Sequence, residues 1–274
     1  MRSWLWMTFV LGVCWGPLGA RGDVQIVLPE KLSGPAAYGI EKLEEAFCRR
    51  GETVQMLDRL DQADASHVVV AGLATCEPVQ ELVERCGLEV PMPAESLAVG
   101  VLGQRDQRVV VLGGRDAIGL LYAALDTADR VGWTGPNEDP FTHIQPIAES
   151  PFLQDRSVST YTMHRGWWEQ RLYDERYWQR YFDLLARSRI NSFVIIFGYE
   201  CGGFMAPPYP YFFDVPGFPE VQIPSLTDEQ QAKNTEALRR VLGLAHARGI
   251  RVTVGIWDHI YRGRVQTGGM RVQD

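Results

Sequence analysis

The chain has 274 residues, with 46% hydrophobic and 22% charged content and a formal net charge of −7. That is an ordinary globular composition, long enough for one large domain or two ordinary ones. No basic stripe exists to displace counterions from phosphates, which argues against a dedicated nucleic-acid binder.

The first residues differ from the rest. Arg2 precedes the apolar run "WLWMTFVLGVCW", then "GP", then the small residues of "LGA" before Arg21. A positive start, an apolar core and a small-residue exit predict a secretory signal over 1–22. The run is shorter than the roughly 20 apolar residues that a spanning helix needs. The expectation is therefore a secreted or periplasmic protein with no stable membrane insertion once the signal is removed. The "RGD" at 21–23 falls at the predicted cleavage point and carries no adhesion reading. Four cysteines remain beyond the signal: Cys48, Cys76, Cys86 and Cys201. Buried thiols or one disulfide both fit them, Cys76 with Cys86 being the closest pair in sequence. None is spaced for structural zinc, and no cofactor is expected.

Strand and helix signals alternate over 23–132. "VQIVL" (24–28) is a short apolar strand closed by Pro29, and Ile40, Leu43 and Phe47 then share one helical face before Gly51. "HVVVAG" (67–72) is a second strand, and "EPVQELVERCG" a helix with proline near its start. "SLAVGVLG" (96–103) and "RVVVLGG" (108–114) flank the polar "QRDQ" as a hairpin. "DAIGLLYAALDTADRVG" closes the unit as a helix capped by Asp116. These four strands and three helices predict a small α/β domain with a mixed sheet.

The connector 133–155 carries Pro136, Pro140, Pro146 and Pro151, which forbid a long helix or a central strand and leave room for a little edge structure. Then the rhythm restarts. "RSVSTY" (156–161) is a strand, and Asp174 opens a helix to about Arg189 with Tyr177, Tyr181, Leu184 and Leu185 along one side. "SFVIIFG" (192–198) is an apolar run of the kind buried on both faces of a parallel sheet. Thr227 and Gln230 form a capping box; Leu238, Val241, Leu242 and Ala245 line the helix that follows, and Gly249 ends it. "RVTVGIW" (251–257) is the next strand. The order β-α-β-α-β opens either a (β/α)8 barrel or a doubly wound sheet.

Candidate site residues concentrate in the segments after those strands. "TYTMHRGWWEQR" (160–171) offers His164, Arg165, Trp167 and Trp168; exposed indoles there would stack on sugar rings, and one of them could equally be core. "FGYECGGFMAPPYPYFFDVPGF" (197–218) brings Tyr199 and Glu200, whose carboxylate suits a sugar hydroxyl or an ion pair with Arg165. Asp258 and His259 follow the last strand as ligands, hydrogen-bonding supports or a plain polar cap; no metal-ligand spacing accompanies them. In "VVLGGRDAIG" (110–119), Gly113, Gly114 and Gly119 would admit a phosphate loop. Their spacing is not GxGxxG, and a tight strand-to-helix turn explains them.

"RVVVLGGRDAIGLLYAALDTADRVG", the connector and "RSVSTYTMH" resemble the junction in family 20 β-N-acetylhexosaminidases and family 67 α-glucuronidases. Gly114, Gly119 and Tyr122 match its "G…G…Y", and Arg156 matches its arginine, with Ser157 in place of the glycine that follows. Asn191 resembles the residue that opens the second barrel strand, and "AHARGIRVTVGIWDH" the third-strand region, whereas "GYE" departs from the usual second-strand ending. The resemblance implies an α/β accessory domain before a catalytic (β/α)8 TIM barrel, incomplete here, and an exported glycoside hydrolase with a carbohydrate substrate. It also implies that Arg156 binds a sugar hydroxyl. A full barrel takes about 250 residues, and about 120 follow Pro151. The family 20 acid, an Asp-Glu pair after the fourth strand, is therefore not reached, so the expectation is a fragment, 156–274 being the first part of a barrel and inactive alone. The alternatives are a non-catalytic carbohydrate-binding protein and a nucleotide-binding domain through Gly113, Gly114 and Gly119.

Overall fold

The computed structural model describes residues 23–104, 106–159, 170–198, 209–214, 216–219 and 226–257. The first unit is a six-stranded sheet in the order β2-β1-β3-β5-β4-β6. Its strands are β1 (Val24–Val27), β2 (Val54–Leu57), β3 (His67–Leu73), β4 (Leu97–Gln104), β5 (Gln107–Gly114) and β6 (Ile147–Glu149). β1, β2, β3 and β5 run parallel, while β4 is antiparallel to both β5 and β6. β2 and β6 add to the four strands expected from sequence. β2 is half-exposed along its length and shows no apolar run, and β6 is three residues after Pro146 at the sheet edge, where a proline-rich segment is tolerated.

Alternation along the central strands feeds two cores. Val69, Ala71, Val110 and Leu112 face α1 (Gly34–Arg49) and α3 (Ala117–Trp133). Val68, Val70, Val109 and Val111 face α2 (Glu77–Arg85). Consecutive valines are thus buried on opposite sides, the signature of a sheet covered on both faces. A Cβ on Gly39 would lie 3.0 Å from the Leu121 Cα, so glycine lets α1 close against α3. α2 also separates one candidate cysteine pair, while Cys201 lies outside the described residues. Cys76 and Cys86 stand at its two ends, about 15 Å apart at 1.5 Å rise per residue. A disulfide needs Cα atoms within about 7 Å, and both remain thiols, each pushed up by burial away from its ordinary pKa.

The second unit holds β7 (Ser157–Ser159), β8 (Ser192–Gly198) and β9 (Arg251–Trp257), paired in that order and all parallel. α4 (Glu175–Arg187) and α5 (Asp228–Ala247) make the crossovers. Asp174 accepts from the Tyr177 N–H at 2.9 Å, as its capping position predicts. Thr227 accepts from the Gln230 N–H at 3.2 Å, but the reciprocal half of the box does not form: the Gln230 amide donates instead to Tyr173 at 2.6 Å and Asn234 at 3.1 Å.

The buried line of α4 is Trp178, Phe182, Leu185 and Ala186; Leu185 is buried as expected, whereas Tyr177, Tyr181 and Leu184 give way to their neighbours one residue on, and Leu184 is 59% exposed. Phe182 is wholly apolar and Trp178 donates its single indole N–H to the Arg171 carbonyl at 2.9 Å, whereas tyrosine hydroxyls need a partner or water. On α5, Val241 and Ala245 are buried as expected, joined by Asn234 and Ala237, while Leu238 is only partly covered. The result is a small mixed-sheet α/β domain followed by the first strands of a (β/α)8 barrel.

Candidate functional site at the carboxyl edge of the second sheet

In-register parallel pairing fixes where the chain leaves this sheet. Ser159 lies opposite Val194, and Gly198 opposite Trp257. Three successive segments therefore depart from one edge, the carboxyl one, where barrel enzymes carry their chemistry. His164, Arg165, Trp167 and Trp168 follow Ser159 in the chain; Tyr199 and Glu200 follow Gly198; Asp258 and His259 follow Trp257. All eight lie outside the described residues.

Arg156 is described, and it sits at the opposite end. It immediately precedes β7, on the amino edge, where its backbone N–H donates to the Asn191 side-chain oxygen at 3.0 Å. Its guanidinium donates to the Arg189 carbonyl at 2.5 Å, the Leu153 carbonyl at 2.6 Å, the Tyr122 hydroxyl at 3.3 Å and the Glu95 carboxylate. Asn191, 1% exposed, donates to the other Glu95 oxygen and to the Gln154 carbonyl, both at 2.8 Å. The sugar-hydroxyl role expected for Arg156 does not fit this placement, because its donors are spent inside the protein and it faces away from the carboxyl edge.

What sequence reasoning missed is that Arg156, Asn191 and Tyr122 meet around Glu95 and clamp the two units together. Burial pushes the Tyr122 hydroxyl up to about 12, with the Glu95 charge adding to the rise, so it stays a neutral hydrogen-bonding group. Glu95 and Arg189 both hold left-handed backbone, at φ 63° and 56°, a conformation that side chains rarely adopt without such support. A second tie joins Tyr38 of α1 to Asp183 of α4, with the Arg248 Nε 2.5 Å from the same carboxylate and its guanidinium 4.4 Å over the Tyr38 ring.

The glycines near α3 are filled by protein. A Cβ on Gly114 would lie 2.2 Å from the Leu120 nitrogen, and one on Gly119 would lie 2.1 Å from the Ser96 carbonyl oxygen. The Asp116 carboxylate accepts from the Ile118 and Gly119 N–H groups at 3.0 and 2.9 Å, and from the Glu95 N–H at 2.9 Å. A carboxylate thus stands where a phosphate would sit on the helix N-terminus, which removes the observation behind the nucleotide reading. Among the described residues no group of three or more His, Cys, Asp or Glu is placed to hold a metal ion, and no helix is long and apolar enough to cross a membrane.

No protein-family model matches the chain, and no curated protein matches it. Solved structures do. A GH138 enzyme targeting pectin rhamnogalacturonan II matches with a TM-score of 0.62 at 15% identity, over 86% of this chain and 31% of its own. CpGH84D matches at 0.59 and 11% identity, over 90% of this chain and 36% of its own. Both are glycoside hydrolases.

The fold is glycosidase-like. A β-N-acetylhexosaminidase from Bacteroides fragilis NCTC 9343 matches more loosely, with a TM-score of 0.48 at 14% identity over 86% of this chain and 40% of its own. The chain spans about a third of the length of the first two glycoside hydrolases. The clamp around Glu95 lies at the junction of the first unit with the second, and the other candidate site residues follow the strands in the chain at the opposite edge.

Proposed function

We propose that this chain carries the accessory domain and the opening barrel strands of an exported glycoside hydrolase that acts on an oligo- or polysaccharide. The observation that supports it is the parallel, in-register β7–β8–β9 sheet, which sends three consecutive segments off a single edge. Those segments hold the indoles, carboxylates and imidazoles that suit a sugar: Trp167 and Trp168 for stacking, and Arg165, Glu200, Asp258, His164, Tyr199 and His259 for hydroxyls. Kinship with the family 20 and family 67 enzymes is part of the same proposal and rests on the junction residues Gly114, Gly119, Tyr122 and Arg156.

Glycosidic hydrolysis calls for two carboxyl groups flanking the scissile bond. We assign Glu200 and Asp258 to substrate hydroxyls and neither to proton donation. In the full-length enzyme a further carboxylic acid would protonate the glycosidic oxygen, and the substrate's acetamido group or a second carboxylate would stabilise the oxocarbenium-like centre. The segment 1–22 directs export in this reading.

Titration with N-acetylchitotriose by calorimetry tests the binding edge. Glu200→Gln and Trp167→Ala should each weaken binding about tenfold, a loss of about 1.4 kcal/mol. Equal affinity for wild type and both variants would sink the assignment.

A further inference from the structure

A second cleft lies away from the carboxyl edge. Its walls are the carboxyl ends of α1, α3 and α4 together with the start of the connector, and it encloses about 700 Å³. Ala46, Ala128 and Gly132 are its small side chains, so the opening is broad. Trp133 stands on its rim, 64% exposed. Arg130 lies over that indole with its guanidinium 5.7 Å from the ring centroid, and His143 flanks it at 6.4 Å, so the ring is held while much of it faces water.

Charge sets the ligand class. The cleft is lined by Arg49, Arg50 and Arg187 against a single acidic residue, Asp129, in a protein whose net charge is −7. Arg187 pairs with Asp129. Arg49 is 63% exposed and only loosely engaged, 3.5 Å from Glu45. Arg50 is buried and donates to the carbonyls of Thr134, Gly135 and Glu138 at 2.8–2.9 Å, with Glu52 3.9 Å away. Its Nε is the one buried side-chain polar atom among the described residues without a hydrogen-bond partner, and a buried donor in that state is costly unless something completes it.

Part of this positive charge offsets the carbonyl ends of three helices. That accounts for guanidiniums near the helix ends; it does not account for an exposed indole beside them. A planar aromatic platform next to an exposed, loosely paired guanidinium suits a sugar ring that carries a carboxylate: the ring's C–H face stacks on the indole, and arginine takes the carboxylate in forked hydrogen bonds.

We propose that this cleft is an auxiliary binding site for an acidic saccharide, a uronate unit, with Trp133 as the stacking platform and Arg49 as the principal carboxylate ligand. It rests on the glycoside hydrolase reading only for the choice of carbohydrate, and it is a different place from the sugar edge proposed above. Arg187 comes from the second unit and the other walls from the first or the connector, so the docked second unit completes the wall of the cleft.

The test is calorimetric titration of the whole chain with trigalacturonate, with maltotriose as the neutral control, at low and high salt. Wild type should bind trigalacturonate in a salt-sensitive manner and prefer it to maltotriose at least about tenfold. Trp133→Ala should abolish that binding. Arg49→Gln should weaken it about fivefold and flatten the salt dependence, while Arg49→Lys should restore part of it. Glu200→Gln should leave it unchanged, which separates this cleft from the carboxyl edge. No binding of trigalacturonate, equal binding of maltotriose, or binding lost with Glu200→Gln and kept with Trp133→Ala would each overturn the proposal. The last of these would leave the carboxyl-edge reading standing.

Discussion

The two units solve the same problem with different amounts of cover. In the first, β3 and β5 lie between helices on both faces, and their valines are buried whichever way they point. In the second, helices α4 and α5 cover one face, where Trp178, Phe182, Phe193 and Val241 form the core. β9 reads in sequence like a fully buried strand, yet Val254 is 49% exposed. Hydrophobic runs record what a strand is suited to, whereas burial depends on what packs beside it. The difference predicts a self-sufficient first unit, on which the second leans through the Glu95 clamp, the Tyr38–Asp183–Arg248 tie and Ala186, which enters the first unit's core.

The sharpest way to break this contrast is to remove the largest fully buried side chain among the second unit's described residues. Trp178 is fully buried, stacks 5.5 Å from Phe182 and meets Phe193 edge-on at 5.9 Å. Trp178→Ala should cost about 3–5 kcal/mol and melt the second unit while leaving the first folded. Urea unfolding followed with limited proteolysis would show the first unit surviving as a protected fragment. A single coincident loss of both would mean that the first unit is not self-sufficient.

Cutting the clamp comes next. Arg156→Met leaves the Glu95 carboxylate, about 14% exposed, without its guanidinium, and orphaning a mostly buried charge costs about 3 kcal/mol. The expected outcome is a calorimetric trace that splits into two transitions where wild type shows one. An unsplit trace at an unchanged midpoint would make the clamp ornamental.

The smallest effect sharpens how the connector is anchored. Burial pushes the Asp139 carboxyl up, but the Phe141 N–H and Arg108 outweigh it and hold the group below the usual aspartate range. A depressed folded-state pKa gives stabilisation that is present above about pH 3.9, the unfolded value, and is lost as pH falls through the folded one. The melting temperature should therefore drop below about pH 4, and Asp139→Asn should flatten that part of the profile. An identical slope in the variant would assign the acid sensitivity elsewhere.

Local signals carried most of the architecture. Asp116, Asp174 and Thr227 cap the helices their spacing assigns to them, and the apolar runs at 67–73, 107–114 and 192–198 are strands. β2 escaped because a half-exposed edge strand needs no apolar run, and on α4 Leu185 was placed correctly while Tyr177 and Tyr181 stood in for Trp178 and Phe182 because aromatic residues look alike to a hydrophobic count. The candidate site was legible only as three residue-rich segments following three strands. That they leave one edge follows from the parallel pairing of the three strands, which the alternating β-α-β-α-β order already implied.

By itself, then, the sequence determined the order of elements, their caps, the break at the prolines and the glycine positions, because each is set by neighbours within a few residues. Only the tertiary structure decided what those residues are for. Arg156 meets Glu95 across 61 positions, and Asn191 meets the same carboxylate across 96. Gly119 is a glycine because the Ser96 carbonyl comes from another strand's entrance to touch it. Such contacts are made by chain segments that find each other only on folding, so their chemistry is written in geometry and not in spacing.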